Sequence, residues 1–465
     1  MSNKTRHYLD VRAFLYISLE ALLMIGILIF SIYLCRPNRI FSTIYDDFFS
    51  LKVATFVTCI LIPLYLLSLY EERIVPGNVL ELSGWRLFQA LVMAAFFLSF
   101  IYYLYPFLAV ERDVFLTSFL IIGATSLAIR LIYQKILTIK HIDKNVLIIG
   151  CGALAAEIAQ EIEKQKDIGY NVVGFVTNEP ERIGNKLVNK NILGDSSLIM
   201  EIVNEKNVDQ IIVALDERRG GFPLMQLLEC KVQGLIIKPG VEFYERLTGK
   251  LKIKHLVPST MIFSKGFKKS TLQLALKRFT DLIMSFCGLI VLAPLLLIIA
   301  LLIKLESRGP VFYRQERVGE YGKIFELIKF RSMYENAESN GPVWAKENDN
   351  RVTRVGKWLR KLRLDEIPQM INVIEGEMSF VGPRPERLHF VNILRREIPF
   401  YDQRLSVKPG ITGWAQIMYV YAGSKEETME KLTYDLFYIK NMSLFLDSYI
   451  IYKTIMVVFF GKGAR

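Results

Sequence analysis

Five apolar runs of membrane-crossing length constrain what this chain can fold into. Four lie in its first third, roughly Ala13 to Leu34, Leu51 to Tyr70, Leu87 to Tyr105 and Val114 to Tyr133. Each is near the ~20 residues that a bilayer-spanning helix requires. The fifth, Leu282 to Ile303, carries Pro294 at its centre, where the ring removes a backbone hydrogen bond and bends a helix. With 52% hydrophobic and 22% charged residues over 465 positions, the chain is too apolar for a soluble protein and too charged to be all membrane. A membrane part with two soluble domains is the simplest fit.

Basic flanks set the orientation. Lys4, Arg6 and Arg12 precede the first run, Arg73 and Arg86 separate the second from the third, and Arg130, Lys135, Lys140 and Lys144 close the fourth. Those faces are cytoplasmic by the positive-inside rule. No charge falls at the middle of these runs, so they read as an anchor or dimerisation bundle rather than a transport path. The fifth run is basic at both ends, with Lys277 and Arg278 before it and Lys304, Arg308, Arg314 and Arg317 after it. Two basic flanks predict a re-entrant helix-break-helix that returns to the face it entered, with a kinked spanning helix as the alternative.

From Lys144 the pattern changes. Asn145 to Ile149 reads as a buried strand, and Gly150-Cys151-Gly152-Ala153-Leu154-Ala155 opens a helix through about Lys166, the turn found in dinucleotide-binding folds. Strands at Asn171 to Thr177 and Val208 to Leu215 continue an alternating α/β order to about Lys238. The fold expected is Rossmann-like, with Gly150 and Gly152 in a possible nucleotide-binding turn. Glu179 is the nearest acid for a ribose. A purely structural or regulatory α/β module fits equally. The boundaries expected are 1–138 for a four-helix transmembrane bundle, 139–240 for the Rossmann-like domain, 241–270 for a connector and 271–465 for a catalytic domain.

The net charge of +12 suits anionic lipid and phosphorylated substrates; no nucleic-acid motif accompanies it. The five cysteines are scattered and the four histidines show no ligand spacing, which argues against a disulfide framework and His-based metal chemistry.

Chemistry concentrates near residue 365. Asp365 and Glu366 follow the basic run Arg360-Lys361-Leu362-Arg363, itself preceded by Arg351, Arg354 and Lys357. Carboxylates among cations stay ionised and serve as nucleophile, base or hard-metal ligand. In Gly382-Pro383-Arg384-Pro385-Glu386 the prolines stiffen a turn that presents one guanidinium, a group suited to phosphate. Acid pair, phosphate clamp and basic helix point to chemistry on a phosphate ester.

From about Leu274 onward the chain resembles the bacterial sugar transferases, monotopic polyprenyl-phosphate phosphoglycosyl transferases. The motifs are Lys277-Arg278 with Asp281, the run Ser307 to Gly319, Lys329-Phe330-Arg331-Ser332-Met333, Asp365-Glu366-Ile367-Pro368-Gln369, Ser379 to Glu386, and Lys408 to Gln416. Asp216-Glu217-Arg218-Arg219-Gly220 and the terminal Gly461 to Arg465 resemble the long subfamily associated with exosortase-type exopolysaccharide loci. The resemblance implies a bacterial inner-membrane protein with its catalytic domain, including a re-entrant membrane helix, on the cytoplasmic face. The implied donor is a UDP-sugar, the acceptor polyprenyl phosphate, and a homodimer is implied by family precedent. Asp365 would be the nucleophile, forming a phosphosugar-aspartyl intermediate, and Glu366 would bind Mg2+. Arg360 and Arg384 match cationic positions at the phosphates, with Lys329, Arg331 and Lys408 as further candidates. Asp281, Asp435 and Asp447 lie in matching motifs where folding roles are expected. The family's usual Ser-Pro break is Ala293-Pro294 here.

Two rival functions stand beside this one. A membrane-tethered NAD-dependent epimerase or dehydratase would need a Tyr-x-x-x-Lys base pair, and residues 150–260 hold none. A non-enzymatic scaffold would have no use for Asp365, Glu366, Arg360 and Arg384 together.

Overall fold

The computed structural model describes residues 2–39, 47–66, 79–139, 144–165, 169–215, 222–252, 266–334, 351–419 and 425–460. The motifs Asp216 to Gly220 and Gly461 to Arg465 lie outside them. The chain divides into two units, Met1–Gly249 and Lys250–Arg465.

The first unit opens with four apolar helices, α1 (Ser2–Cys35), α2 (Phe49–Leu66), α3 (Val79–Leu104) and α4 (Arg112–Ile139). Their inner faces recur every four residues: Met24, Leu28 and Ile32; Phe56, Ile60 and Leu64; Ala90, Ala94 and Leu98. That spacing puts one stripe of each helix in the shared core. Leu19, Phe30, Phe96 and Leu120 face outward, as suits lipid. A buried ion pair joins Glu20 on α1 to Arg130 on α4 at 3.4 Å, and Ser126 Oγ also donates to Glu20 at 3.0 Å. Glu20 stands near the start of the α1 span and Arg130 near the end of the α4 span. The pair therefore brings the beginning and the end of the bundle to one side.

The α/β part follows as β1 (Lys144–Ile149), α5 (Ala153–Lys164), β2 (Tyr170–Val176), β3 (Lys186–Leu187), β4 (Lys190–Gly194), α6 (Ile199–Glu205), β5 (Gln210–Val213), α7 (Leu224–Val232), β6 (Ile236–Pro239) and α8 (Gly240–Thr248). Strand order is β3-β4-β2-β1-β5-β6, parallel except where β3 meets β4. Central β1 sends Val146 and Ile148 to one face, against α5 and α8, and Leu147 and Ile149 to the other, against α6 and α7. Alternation along a strand produces this division. The connector expected from residue 241 begins instead with α8, because Phe243, Tyr244 and Leu247 complete the core beside α5.

In the second unit, α9 (Thr271–Glu306) is one helical element with Pro294 inside it and a Ser270–Gln273 capping box at its start. Its two ends are tied to the same body. Near the start, Arg278 donates to the carbonyls of Val373 and Ile374, and Asp281 accepts from Ser379 Oγ at 2.7 Å and Phe380 N at 3.1 Å. Near the end, Ile299 and Ile303 pack with Phe330 and Leu359, and Glu306 accepts from the backbone N–H groups of Arg354 and Val355. Phe286, Ile290, Val291, Leu297 and Ile298, between these anchors, are exposed.

The body holds the hairpin β7 (Phe312–Val318) and β8 (Ile324–Phe330), helix α10 (Arg354–Lys361), α11 (Gln369–Glu375), β9 (Ser379–Val381), α12 (Leu388–Glu397), β10 (Gly410–Thr412), α13 (Trp414–Met418), α14 (Lys425–Asn441) and α15 (Leu444–Phe460). Gly356 on α10 lies so close to Ser332 that a Cβ there would overlap the Ser332 carbonyl and crowd Thr353 Oγ1. Gly356→Ala is expected to lower stability by about 1–3 kcal/mol, since a backbone atom would have to move; a thermal melt equal to wild type would refute the close approach.

Lys269, just before α9, donates to the Lys440 carbonyl at 2.9 Å. Burial pushes its ammonium down to about 8, against the pull of Asp447. The unfolded lysine holds its proton to about pH 10.4, so the folded state binds fewer protons between pH 8 and that value. Stability contributed by this group then rises with pH across the window. The gap between wild type and Lys269→Met is expected to move in favour of wild type from pH 8 to 10 in thermal melts; a gap constant across that range would contradict it.

Candidate active site

Asp365 and Glu366 share one tight turn, Leu364–Glu366, between α10 and α11. Arg363 enters it with φ 52°, a left-handed conformation that a side-chain-bearing residue adopts at a cost. The reversal sinks both acids, to 9% and 7% exposure.

Their surroundings differ. Glu366 Oε1 accepts from Lys329 Nζ of β8 at 3.0 Å and from Arg384 Nη2 at 2.6 Å. Asp365 accepts no hydrogen bond among the described residues. Burial pushes the Asp365 carboxyl above its ordinary range, and the Glu366 charge adds to the rise, against Lys329, Arg384 and Arg360. For Glu366, burial also opposes ionisation, but Arg384 and Lys329 outweigh it and hold the carboxyl well below its ordinary range. The neighbouring cations do lower the Asp365 carboxyl, but burial and the Glu366 charge outweigh them. Two carboxylates whose environments separate them in this way can take different roles.

Arg360 reaches this neighbourhood from α10, its Nε donating to Ser332 Oγ at 2.9 Å. Arg384 comes from the segment between β9 and α12, so α10, the acidic turn, β8 and that segment supply the cluster. Arg331 is engaged elsewhere. Its Nη1 donates to the Arg308 carbonyl and its Nη2 to Ser307, all at 2.8 Å, so the guanidinium closes the end of α9. Lys408 Nζ approaches Gly376 from the side where the Arg278 guanidinium lies, at the far end of α11 from Asp365.

The three other acids are pinned internally. Asp281 holds β9 as described, Asp435 pairs with Arg404 at 3.1 Å, and Asp447 accepts from Lys277 at 2.8 Å and Tyr438 Oη at 2.7 Å. Sequence reading gave no role to Arg404 or Glu306, whose partners include Asp435 and the N–H groups of Arg354 and Val355, all distant in the chain.

In the first unit, Gly150 ends β1 with φ 117°, and a Cβ there would collide with the Ala214 carbonyl. Gly152 caps α5. Arg182 Nη1 donates to the carbonyl of the intervening Cys151 at 3.2 Å, and Glu179 pairs with Arg182 at 2.8 Å. The acid expected at a ribose is thus engaged by a neighbouring cation.

Among the described residues no three His, Cys, Asp or Glu side chains form a ready metal cage. Glu366 is the carboxylate that would hold Mg2+, through the oxygen that Lys329 and Arg384 do not engage, with substrate phosphate oxygens completing the shell.

An apolar helix long enough to cross a membrane is thus lashed at both ends to a domain that carries a cation-ringed acid pair. The family model for bacterial sugar transferase matches residues 272–461, and that for a CoA-binding domain matches 69–221. A UDP-glucose:undecaprenyl-phosphate glucose-1-phosphate transferase of Klebsiella pneumoniae is 33% identical over 404 residues, 83% of this chain and 82% of that protein. The Escherichia coli K12 protein of the same description is 34% identical over 327 residues, 69% of each chain. A UDP-N-acetylgalactosamine-undecaprenyl-phosphate N-acetylgalactosaminephosphotransferase of Aeromonas hydrophila is 44% identical over 239 residues, 51% of this chain and 56% of that protein. The chain belongs to the bacterial sugar transferase family.

Proposed function

We propose that this protein transfers a sugar-1-phosphate from a UDP-sugar to a polyprenyl phosphate, releasing UMP, with Asp365 as nucleophile. The observation that carries this reading is the asymmetry of the acid pair. Asp365 is buried beside three cations yet accepts no hydrogen bond among the described residues, while Glu366 is clamped by two of them. A carboxylate so placed keeps its lone pairs for an incoming phosphorus, and the surrounding cations suit a diphosphate.

In the first step an Asp365 oxygen bonds to the β-phosphorus, and the bond from that phosphorus to the bridging oxygen breaks. UMP leaves with the electron pair. In the second step an oxygen of the polyprenyl phosphate attacks the same phosphorus and the aspartyl bond breaks, restoring the carboxylate. Lys329, Arg384 and Arg360 would hold the phosphoryl oxygens. Glu366 would hold Mg2+, whose charge neutralises oxygens that otherwise repel the nucleophile.

The acceptor lies in lipid and the donor in water, so the site belongs at the inner face of the bacterial cytoplasmic membrane. The anchoring of both ends of α9 to one body, with an exposed apolar stretch around Pro294 between them, supports a re-entrant helix that enters and leaves by the same face. This reading is tested by UMP release from a panel of UDP-sugars with Mg2+ and undecaprenyl-phosphate vesicles. Release from one sugar, dependent on the lipid for turnover, is expected; no release from any UDP-sugar would overturn it.

A further inference from the structure

The segment that carries Arg384 cannot hold itself in place. Pro383 and Pro385 have no N–H to donate, and residues 384–387 form no helix or strand. Four consecutive carbonyls are instead held from outside. Pro383 O accepts from Gly410 N at 2.9 Å, and Glu386 O accepts from Val318 N at 2.9 Å. Pro385 O accepts from Arg317 Nη1 at 3.0 Å, and Arg384 O accepts from Arg404 Nη2 at 2.9 Å.

Of these donors, Arg404 is the one fixed on every side. It is buried, pairs through Nη2 with buried Asp435 at 3.1 Å, and donates through Nη1 to Tyr401 Oη at 2.7 Å. Its guanidinium also lies 5.1 Å from the Tyr401 ring centre. A chain of contacts thus runs from Asp435 through Arg404 to the Arg384 backbone, and from the Arg384 side chain to Glu366.

We infer that Asp435 and Arg404 are positioning residues that set the Arg384 guanidinium against Glu366 and the reacting phosphate, a role that rests on the transferase reading above. Neither touches the acid pair; both act through the Arg384 carbonyl. A guanidinium is required because one planar group must meet a carboxylate, a phenol and a carbonyl together, which a lysine ammonium on a flexible stem does not reproduce.

Arg404→Lys tests the inference in two backgrounds, using the full-length protein in lipid vesicles with the UDP-sugar that supports turnover. In the wild-type background kcat is expected to fall about 100-fold, the scale of a small misplacement of a phosphate-holding group, with KM changed far less. In an Arg384→Ala background the same change is expected to cost almost nothing more, because the group being positioned is gone. An equal loss in both backgrounds would assign Arg404 a general structural role and overturn the inference. Amide hydrogen exchange gives an answer independent of turnover. Arg404→Lys and Asp435→Asn should both speed exchange of the peptide containing Phe380 to Arg387 while α1 to α4 keep wild-type rates. Unchanged exchange in that peptide would sink the relay even if the enzyme reads out normally, whereas absence of UMP release from wild type would count against the reaction alone.

Discussion

Asp365→Asn is expected to lower UMP release by about 10,000-fold or more, the scale seen when a covalent nucleophile is removed, without lowering the thermal midpoint. The two halves of this result have one cause. Asp365 is buried and accepts no hydrogen bond among the described residues, and its carboxyl is pushed above the ordinary range by burial and by Glu366. Its charge therefore opposes folding at neutral pH, since the folded state binds a proton more readily than the unfolded chain. The amide keeps the shape and removes the charge, so stability should hold or rise while attack on phosphorus is lost. UMP assays and thermal melts of the same preparation check both. A variant that loses activity only in proportion to lost fold would argue against a nucleophile.

Glu366→Gln is expected to behave in the opposite way for stability. Glu366 is the anion that compensates Lys329 at 3.0 Å and Arg384 at 2.6 Å, and its carboxyl is held well below the ordinary range by that pairing despite its burial. Removing one partner of a buried pair leaves uncompensated charge and costs about 3–5 kcal/mol. The stabilisation is present above the unfolded carboxylate range and is lost as pH falls through the lower folded value. The variant should therefore melt well below wild type at pH 7, and its turnover should fall by about 100- to 1,000-fold because Arg384 and Lys329 lose their registration on the phosphates. Melts that match wild type would mean the clamp around Glu366 does not carry load in the fold.

The contrast between these neighbours marks what was legible in sequence. Local patterns were readable: the apolar runs that became α1 to α4, the apolar run of β1 with its Gly150 turn, and the Asp-Glu pair behind a basic helix. Convergence across the chain was not. Nothing near Glu366 in sequence says that Lys329, 37 residues earlier, will reach it. Nor does the order of residues say that Arg331, two positions from Lys329, turns to the end of α9. Both are cations in one motif, and a continuous strand would put residues two apart on one face; Lys329 lies within β8 and Arg331 just past its end, where the chain has left the strand. Burial was equally hidden. A carboxylate among arginines invites a lowered pKa on paper, and Asp365 moves the other way because it is buried. Arg404, and the link it makes from Asp435 to the Arg384 carbonyl, became visible only when the prolines around Arg384 left carbonyls for other elements to hold.

The most direct measurement is mass analysis of the protein after rapid acid quench with the productive UDP-sugar and Mg2+, in the absence of polyprenyl phosphate. The account predicts one hexose-phosphate-type mass increment on the peptide containing Asp365, discharged on adding undecaprenyl phosphate and missing in Asp365→Asn. UMP release with no adduct, or with the adduct on another peptide, would contradict Asp365 as the nucleophile.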